Sequence, residues 1–207
     1  NEARRAAIRD EFDPTRTLPT IDNRWVARAL DALWPSDGIL VNETITHRLP
    51  ILRGLERLRV GSFYESSYGG LGMGLGTALG VKAAHPNHPV VVTIGDGAFH
   101  YNPVVASFGA CQEHGLPLLV LLFDNGGYAS QRGDVVHEFP NGFAVRAQRF
   151  VGTSIQPRPD YALLAQAYGG HGERVETPAA LGAALERGFA AINRGQLALV
   201  HLVMKSI

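Results

Sequence analysis

Two oxygen-bearing side chains stand out by where they fall. Asp96 lies in Gly95-Asp96-Gly97, directly after the β-branched run Val90-Val91-Val92-Thr93-Ile94. Asn125 follows Asp124, directly after Leu118-Leu119-Val120-Leu121-Leu122-Phe123. Each run has the length and apolar character of a strand buried on both faces, so both residues are expected at strand carboxyl ends. Residues 103–114 between them suffice for one helix, which makes a strand-helix-strand unit with a right-handed crossover. Both strand ends then open on one side of the sheet, where ligands bind. An Asp and an Asn placed there suit a hard cation. Mg²⁺ takes about six oxygens in octahedral array, often only one or two from side chains, the rest from phosphate, backbone and water. The flanking glycines allow close approach of backbone and ligand, and a helix starting after Gly97 would offer free N–H groups to phosphate. The residues therefore describe a site for a metal-bound diphosphate.

Taken alone, Gly-Asp-Gly and Asn-Gly-Gly are ordinary turn sequences. Their force comes from the pairing: Asp96 and Asn125 are 29 positions apart, each ending an apolar run. A second loop belongs at the same edge. Gly38-Ile39-Leu40-Val41-Asn42 reads as the first strand, followed by Glu43-Thr44-Ile45-Thr46-His47, where Thr44 or Thr46 is placed to cap the next helix and Thr46 to donate to phosphate. The run Gly69-Gly70-Leu71-Gly72-Met73-Gly74-Leu75-Gly76 invites a dinucleotide reading, but no window fits Gly-x-Gly-x-x-Gly and no apolar strand runs straight into it. A nicotinamide-dependent dehydrogenase is disfavoured. Alternate glycines at a helix start point instead to close backbone approach, to another element or to a flat ligand. His100 and Gln131 are possible pocket residues, but each reads more readily as a surface or structural group.

The elements that would position these residues alternate along the chain. A helix is expected from residues 21–34, with Asp22 or Asn23 as cap and Trp25, Val26, Ala29, Leu30 and Leu33 at helical spacing. Further helices are expected over residues 77–84, 160–168 and 178–193, and strands over 173–175 and 197–204. Alternation throughout predicts an α/β fold, a doubly wound, mainly parallel sheet with helices on both faces. Residues 128–159 mix glycine, proline and charge and suit a mobile segment over the site. Residues 1–20, charged and then punctuated by Pro14 and Pro19, read as a linker or partner-binding arm. Residues 21–207 form the ligand-binding domain.

Composition narrows the partners. The chain has 207 residues, 45% of them hydrophobic and 18% charged, with 24 glycines, as expected of one globular α/β domain. A net charge of +0 gives no electrostatic case for nucleic acid or an anionic membrane. No apolar run approaches the roughly 20 residues that cross a bilayer. The one cysteine, Cys111, reads as a packed residue on a helix and suits a reducing compartment, and a cytoplasmic location is expected. No signal peptide is visible, though the chain does not open on Met.

Ordered as they are, Ile39-Leu40-Val41-Asn42-Glu43, Gly61-Ser62-Phe63-Tyr64, Gly69-Gly70-Leu71-Gly72, Gly95-Asp96-Gly97 and Asn125-Gly126-Gly127-Tyr128 resemble the thiamine diphosphate-dependent enzyme superfamily. The likeness is to the C-terminal, diphosphate-binding domain of benzoylformate decarboxylase and acetolactate synthase-like enzymes, and covers roughly residue 18 onward. In the family motif Gly-Asp-Gly is followed by Asn-Asn. Here Asp124 replaces the first Asn, and Asn125 retains the second.

The resemblance implies thiamine diphosphate and Mg²⁺ as cofactors. Asp96 and Asn125 would hold Mg²⁺ by side chains and Gly127 by its carbonyl. Ile45, Thr46, Gly97, Ala98, Asn125 and Tyr128 would meet the diphosphate end, with Ala98 standing where many relatives have Ser. Gly69 would accept from the aminopyrimidine through its carbonyl, and Leu71 would prop the coenzyme into its bent form. The implied chemistry is decarboxylation of 2-oxo acids, acyloin carboligation, or both. In the family a glutamate from a separate pyrimidine-binding domain activates the coenzyme, and Glu43 is no substitute for it. The resemblance thus implies a partner subunit or domain and a hetero-oligomer. The alternative is a non-catalytic subunit, regulatory or scaffolding, that holds Mg²⁺ and thiamine diphosphate.

Overall fold

A computed structural model describes residues 2–66 and 69–206. Its helices are α1 (Glu2–Phe12), α2 (Asn23–Leu33), α3 (Arg48–Gly54), α4 (Gly74–Ala84), α5 (Asp96–Tyr101), α6 (Val104–His114), α7 (Ala129–Glu138), α8 (Phe143–Arg146), α9 (Ala162–Ala167) and α10 (Pro178–Asn193). Its strands are β1 (Ile39–Glu43), β2 (Phe63–Glu65), β3 (Val90–Gly95), β4 (Leu119–Asp124), β5 (His171–Val175) and β6 (Ala198–Val203). They form one six-stranded sheet in the order β2-β1-β3-β4-β6-β5, with every neighbouring pair parallel.

The near-continuous apolar runs of the central strands follow from burial on both sides. Alternate residues feed two cores. Leu40, Val91, Leu119, Leu121, Phe123, Val200 and Leu202 pack with α2 and α10, and Val41, Val90, Val92, Ile94, Val120, Leu122 and Leu199 pack with α4, α6 and α9. Cys111 is buried in the second core, and burial pushes its thiol up to about 12, which fits a packing role. Strand order reverses between β1 and β3, the kind of switch point at which open α/β sheets leave a crevice. The carboxyl ends of β1, β3 and β4 meet there.

Several local features add to the sequence reading or depart from it. Residues 2–12 are helical and packed, with Ile8 and Phe12 buried one turn apart. Gly54 makes room for Phe12: a Cβ there would lie 2.5 Å from the Ala27 Cβ and 3.2 Å from the Phe12 ring. Asp22 caps α2 by accepting from Arg24 N–H at 2.9 Å. At α3, however, the expected threonine cap is absent. The residue before that helix is His47, without a side-chain cap bond, and the Thr44 hydroxyl donates to Asn42 Oδ1 at 2.7 Å instead. Strand β2 escaped the sequence reading because it is three residues long and half-buried at the sheet edge. Residues 128–159 contain α7 and α8, neither of which buries a residue. They return to the sheet edge, where Tyr128 N–H donates to Thr153 O at 2.8 Å and Ile155 N–H to Gly126 O at 2.8 Å.

Candidate active site

The first requirement is that two strand ends 29 positions apart in sequence converge, and they do. Asp96 opens α5 directly after β3, and is 2% exposed. Its Oδ2 accepts the N–H groups of Gly126 and Gly127, each at 2.8 Å, and its Oδ1 accepts Gly97 N–H at 2.8 Å. Asp96 therefore organises the loop that carries Asn125. In turn Gly127 lies at φ +150°, and a Cβ on it would fall 2.1 Å from Thr153 O, so no other residue fits.

The decisive atom is Asn125 Oδ1. It is buried and has no hydrogen-bond partner, in a protein whose buried polar atoms are otherwise largely satisfied. An orphaned amide oxygen next to a buried carboxylate matches the donor set of a hard divalent cation. Among the described residues no group of three or more His, Cys, Asp or Glu side chains could hold a metal. A cation here would therefore rely on one carboxylate, an amide oxygen, backbone carbonyls and the oxygens of its own ligand. The residues fit Mg²⁺ with a bound diphosphate.

The two neighbouring carboxylates differ in their electrostatics. Burial, followed by the charge of Asp124, pushes the Asp96 carboxyl up to about 7, against the lowering effect of Gly97 N–H. Asp124 faces the opposite way chemically. Its Oδ2 pairs with His201 Nε2 at 2.8 Å, and its Oδ1 lies 3.5 Å from Arg158 Nε. Burial would raise this carboxyl, but the His201 bond and the Arg158 charge outweigh it and hold Asp124 below the usual range. The Asp that replaces the motif's first Asn is thus held by His201 and Arg158 while it also interacts with the Asp96 carboxyl. His201 is 0% exposed, and nothing in its local sequence marked it.

One cleft is bordered by Ile45, Thr46, Leu71, Asp96, Gly97, Ala98, Asn125, Gly127 and Tyr128. Gly69 is not among them. It borders an adjoining hollow that shares Glu43, Ile45 and Leu71 with the cleft, so Leu71 stands at the junction of the two. The Tyr128 ring covers Gly97, where a Cβ would lie 2.7 Å from Tyr128 Cδ1. Ser130 and Gln131 also border the cleft, whereas His100 is tied to Tyr161, its Nε2 2.7 Å from the phenol oxygen.

Sequence reading missed His47 as a site residue. It borders the cleft and is stacked on Phe123 at 5.1 Å between ring centres. Asn23 Nδ2 lies 3.0 Å from Nδ1, and Nε2 is buried without a partner. An acceptor role for Nδ1 leaves the proton on Nε2, free for an acceptor brought by a ligand. Burial lowers its pKa to about 4, so the ring is neutral at pH 7. The signal was available in principle: a histidine directly after Thr46 in a strand-end loop.

The chain is similar to known proteins in sequence and in fold. The chain is 31% identical over 153 residues to the acetolactate synthase isozyme 2 large subunit of Escherichia coli K12, an alignment covering 73% of this chain and 26% of that protein. It is 30% identical over 186 residues to benzoylformate decarboxylase of Pseudomonas aeruginosa, covering 89% and 32%. Among solved structures, the thiamine diphosphate-dependent 4-hydroxybenzoylformate decarboxylase of Rhodococcus jostii RHA1 superposes with a TM-score of 0.79 at 25% identity, covering 92% of this chain and 34% of that one. The chain thus spans about a quarter to a third of the length of these relatives. The thiamine pyrophosphate enzyme family, in its C-terminal TPP-binding domain, matches residues 47–202, and the chain belongs to that family.

Proposed function

We propose that this chain is the diphosphate-binding part of a thiamine diphosphate-dependent enzyme that decarboxylates 2-oxo acids, joins them to a second carbonyl compound, or both. The observation that carries the reading is the unpartnered Asn125 Oδ1 beside the buried Asp96. In this reading Asp96, Asn125 and the Gly127 carbonyl hold Mg²⁺. Thr46, the Ala98 N–H and the Nε2–H of His47 meet the diphosphate, with Ile45, Gly97 and Tyr128 closing around it. Gly97 N–H already serves Asp96, so its share is steric more than hydrogen-bonding. Gly69 and Leu71 receive the far end of the coenzyme, which when bound supplies the carbanion chemistry that side chains cannot.

The two glutamates that border the cleft and its adjoining hollow, Glu43 and Glu65, are both engaged within the chain. Glu43 accepts from three backbone N–H groups, and Glu65 is held by Arg48 and Asn42. The family resemblance implies that a pyrimidine-binding domain brings the activating glutamate, from a separate subunit or from another part of a longer chain. Helix α7 supports a covered site: it begins at the cleft, buries nothing, and leads to Phe139 and Phe143, exposed at 65% and 73%. Native mass spectrometry of the protein from its own source, with Mg²⁺ and thiamine diphosphate, tests this. One cofactor for each pair of pyrimidine- and diphosphate-binding units, with 2-oxo acid turnover, is expected. Robust turnover by this chain alone would contradict the partner requirement.

A further inference from the structure

Glu43, the last residue of β1, is buried and fully engaged. Its Oε1 accepts the N–H groups of Gly72 at 2.7 Å and Met73 at 2.8 Å, and its Oε2 accepts Gly74 N–H at 3.0 Å and Asn102 Nδ2 at 2.7 Å. Asn102 carries the network on. Its Oδ1 accepts Leu75 N–H at 3.0 Å and its Nδ2 also donates to Ala98 O at 2.9 Å. Four successive backbone donors, residues 72 to 75, thus end on two side chains from other elements. Helix α4 has no cap of its own at Met73, and Glu43 takes that part across space, where an anionic acceptor is favoured.

The fit leaves no slack. Gly72 has φ +99°, and a Cβ on it would lie 2.6 Å from Tyr101 O. A Cβ on Gly74 would lie 2.6 Å from Glu43 Oε2. Gly72 and Gly74 therefore admit protein groups, the Tyr101 carbonyl and the Glu43 carboxylate, whereas a Cβ on Gly70 or Gly76 would meet nothing within 4 Å. Leu71 directly precedes the clamped run, and Ala98 borders the same cleft.

We propose that Glu43, acting through Asn102, is a positioning residue that fixes Leu71 and Gly69 relative to the diphosphate loop at Ala98. The inference rests on the function proposed above. It assigns Glu43 to the geometry of the coenzyme's ring end, not to diphosphate affinity. An acceptor-only side chain is needed, because all four groups facing it are donors. A glutamine would turn its NH₂ toward one pair of them, and flipping Asn102 to compensate would strip Leu75 N–H of its acceptor.

The test compares two ligands by calorimetry on the full chain, Mg²⁺–thiamine diphosphate and Mg²⁺–pyrophosphate. For Glu43→Gln the first affinity should fall about tenfold and the second stay within about twofold. Gly72→Ala, which displaces the same turn without touching Glu43, should reproduce the pattern. Equal losses for both ligands, or none, overturn the inference while leaving the proposed function standing. A wild-type chain that binds neither ligand overturns both. Should the variants not fold, amide exchange in the wild type decides. The amides of residues 72–75 should exchange slowly without cofactor and slow little further on binding, whereas a turn ordered only by the cofactor contradicts the role of Glu43.

Discussion

Asp96 does two things at once: it ties down the backbone of residues 126–127 and it borders the cleft with its carboxyl group. Its carboxyl, raised to about 7, must lose its proton before a cation binds. Mg²⁺ affinity should therefore climb as pH rises toward and through about 7, and Asp96→Asn should flatten that profile while weakening Mg²⁺-dependent binding about tenfold to a hundredfold. The sign for folding is opposite. A carboxyl whose folded pKa lies above its unfolded one keeps its proton longer when folded, so the cation-free protein should lose stability as pH rises from about 4 to about 7. Thermal melts with and without Mg²⁺ separate the two effects. His47, held near 4 against an ordinary 6.5, contributes stability that is present above 6.5 and lost as pH falls toward 4. At this scale the places of Asp96 and Asn125 at strand ends were legible because apolar runs and glycines announce them, while Leu71 was singled out by the family resemblance alone. Glu43, Asn102 and His201 were not legible, since what matters in them is which distant backbone or carboxylate they face.

At the scale of elements, the site depends on loops locked by steric constraint. The Gly126-Gly127 turn is held between Asp96 and the returning segment at residues 153–155. Gly127→Ala should cost about 1–3 kcal/mol from strain at positive φ and contact with Thr153 O, and should abolish cofactor binding. Denaturant melts and titration of the variant check both halves of that statement. The long central strands could be read from composition, because burial on both faces demands unbroken apolar runs. Strand β2 and helix α7 could not. One is too short and half-buried to show a pattern, and the other carries no buried face in this chain. A helix whose partner lies elsewhere has no apolar stripe that its own core explains.

Viewed as a whole, the described residues form a six-stranded sheet with a core on each face and a cleft at the edge formed by the carboxyl ends of its strands. Among the described residues no helix is long and apolar enough to cross a membrane. The exposed side chains around that edge include Ile45, Leu49, Met73 and Tyr101, at 47–64% exposure. On binding a pyrimidine-binding partner, amides of α7 and the loops at residues 45–49 should gain protection from exchange. Protection elsewhere but not there would move the partner to another face. Whether Asp96 and Asn125 hold a metal-bound diphosphate is measured by calorimetric titration of the chain with thiamine diphosphate, with and without Mg²⁺, alongside Asn125→Ala. One saturable site is expected that requires Mg²⁺, disappears with a chelator, and is lost in Asn125→Ala because the orphaned Oδ1 is gone. Binding that ignores Mg²⁺, or that persists unchanged in Asn125→Ala, contradicts that role for the two residues.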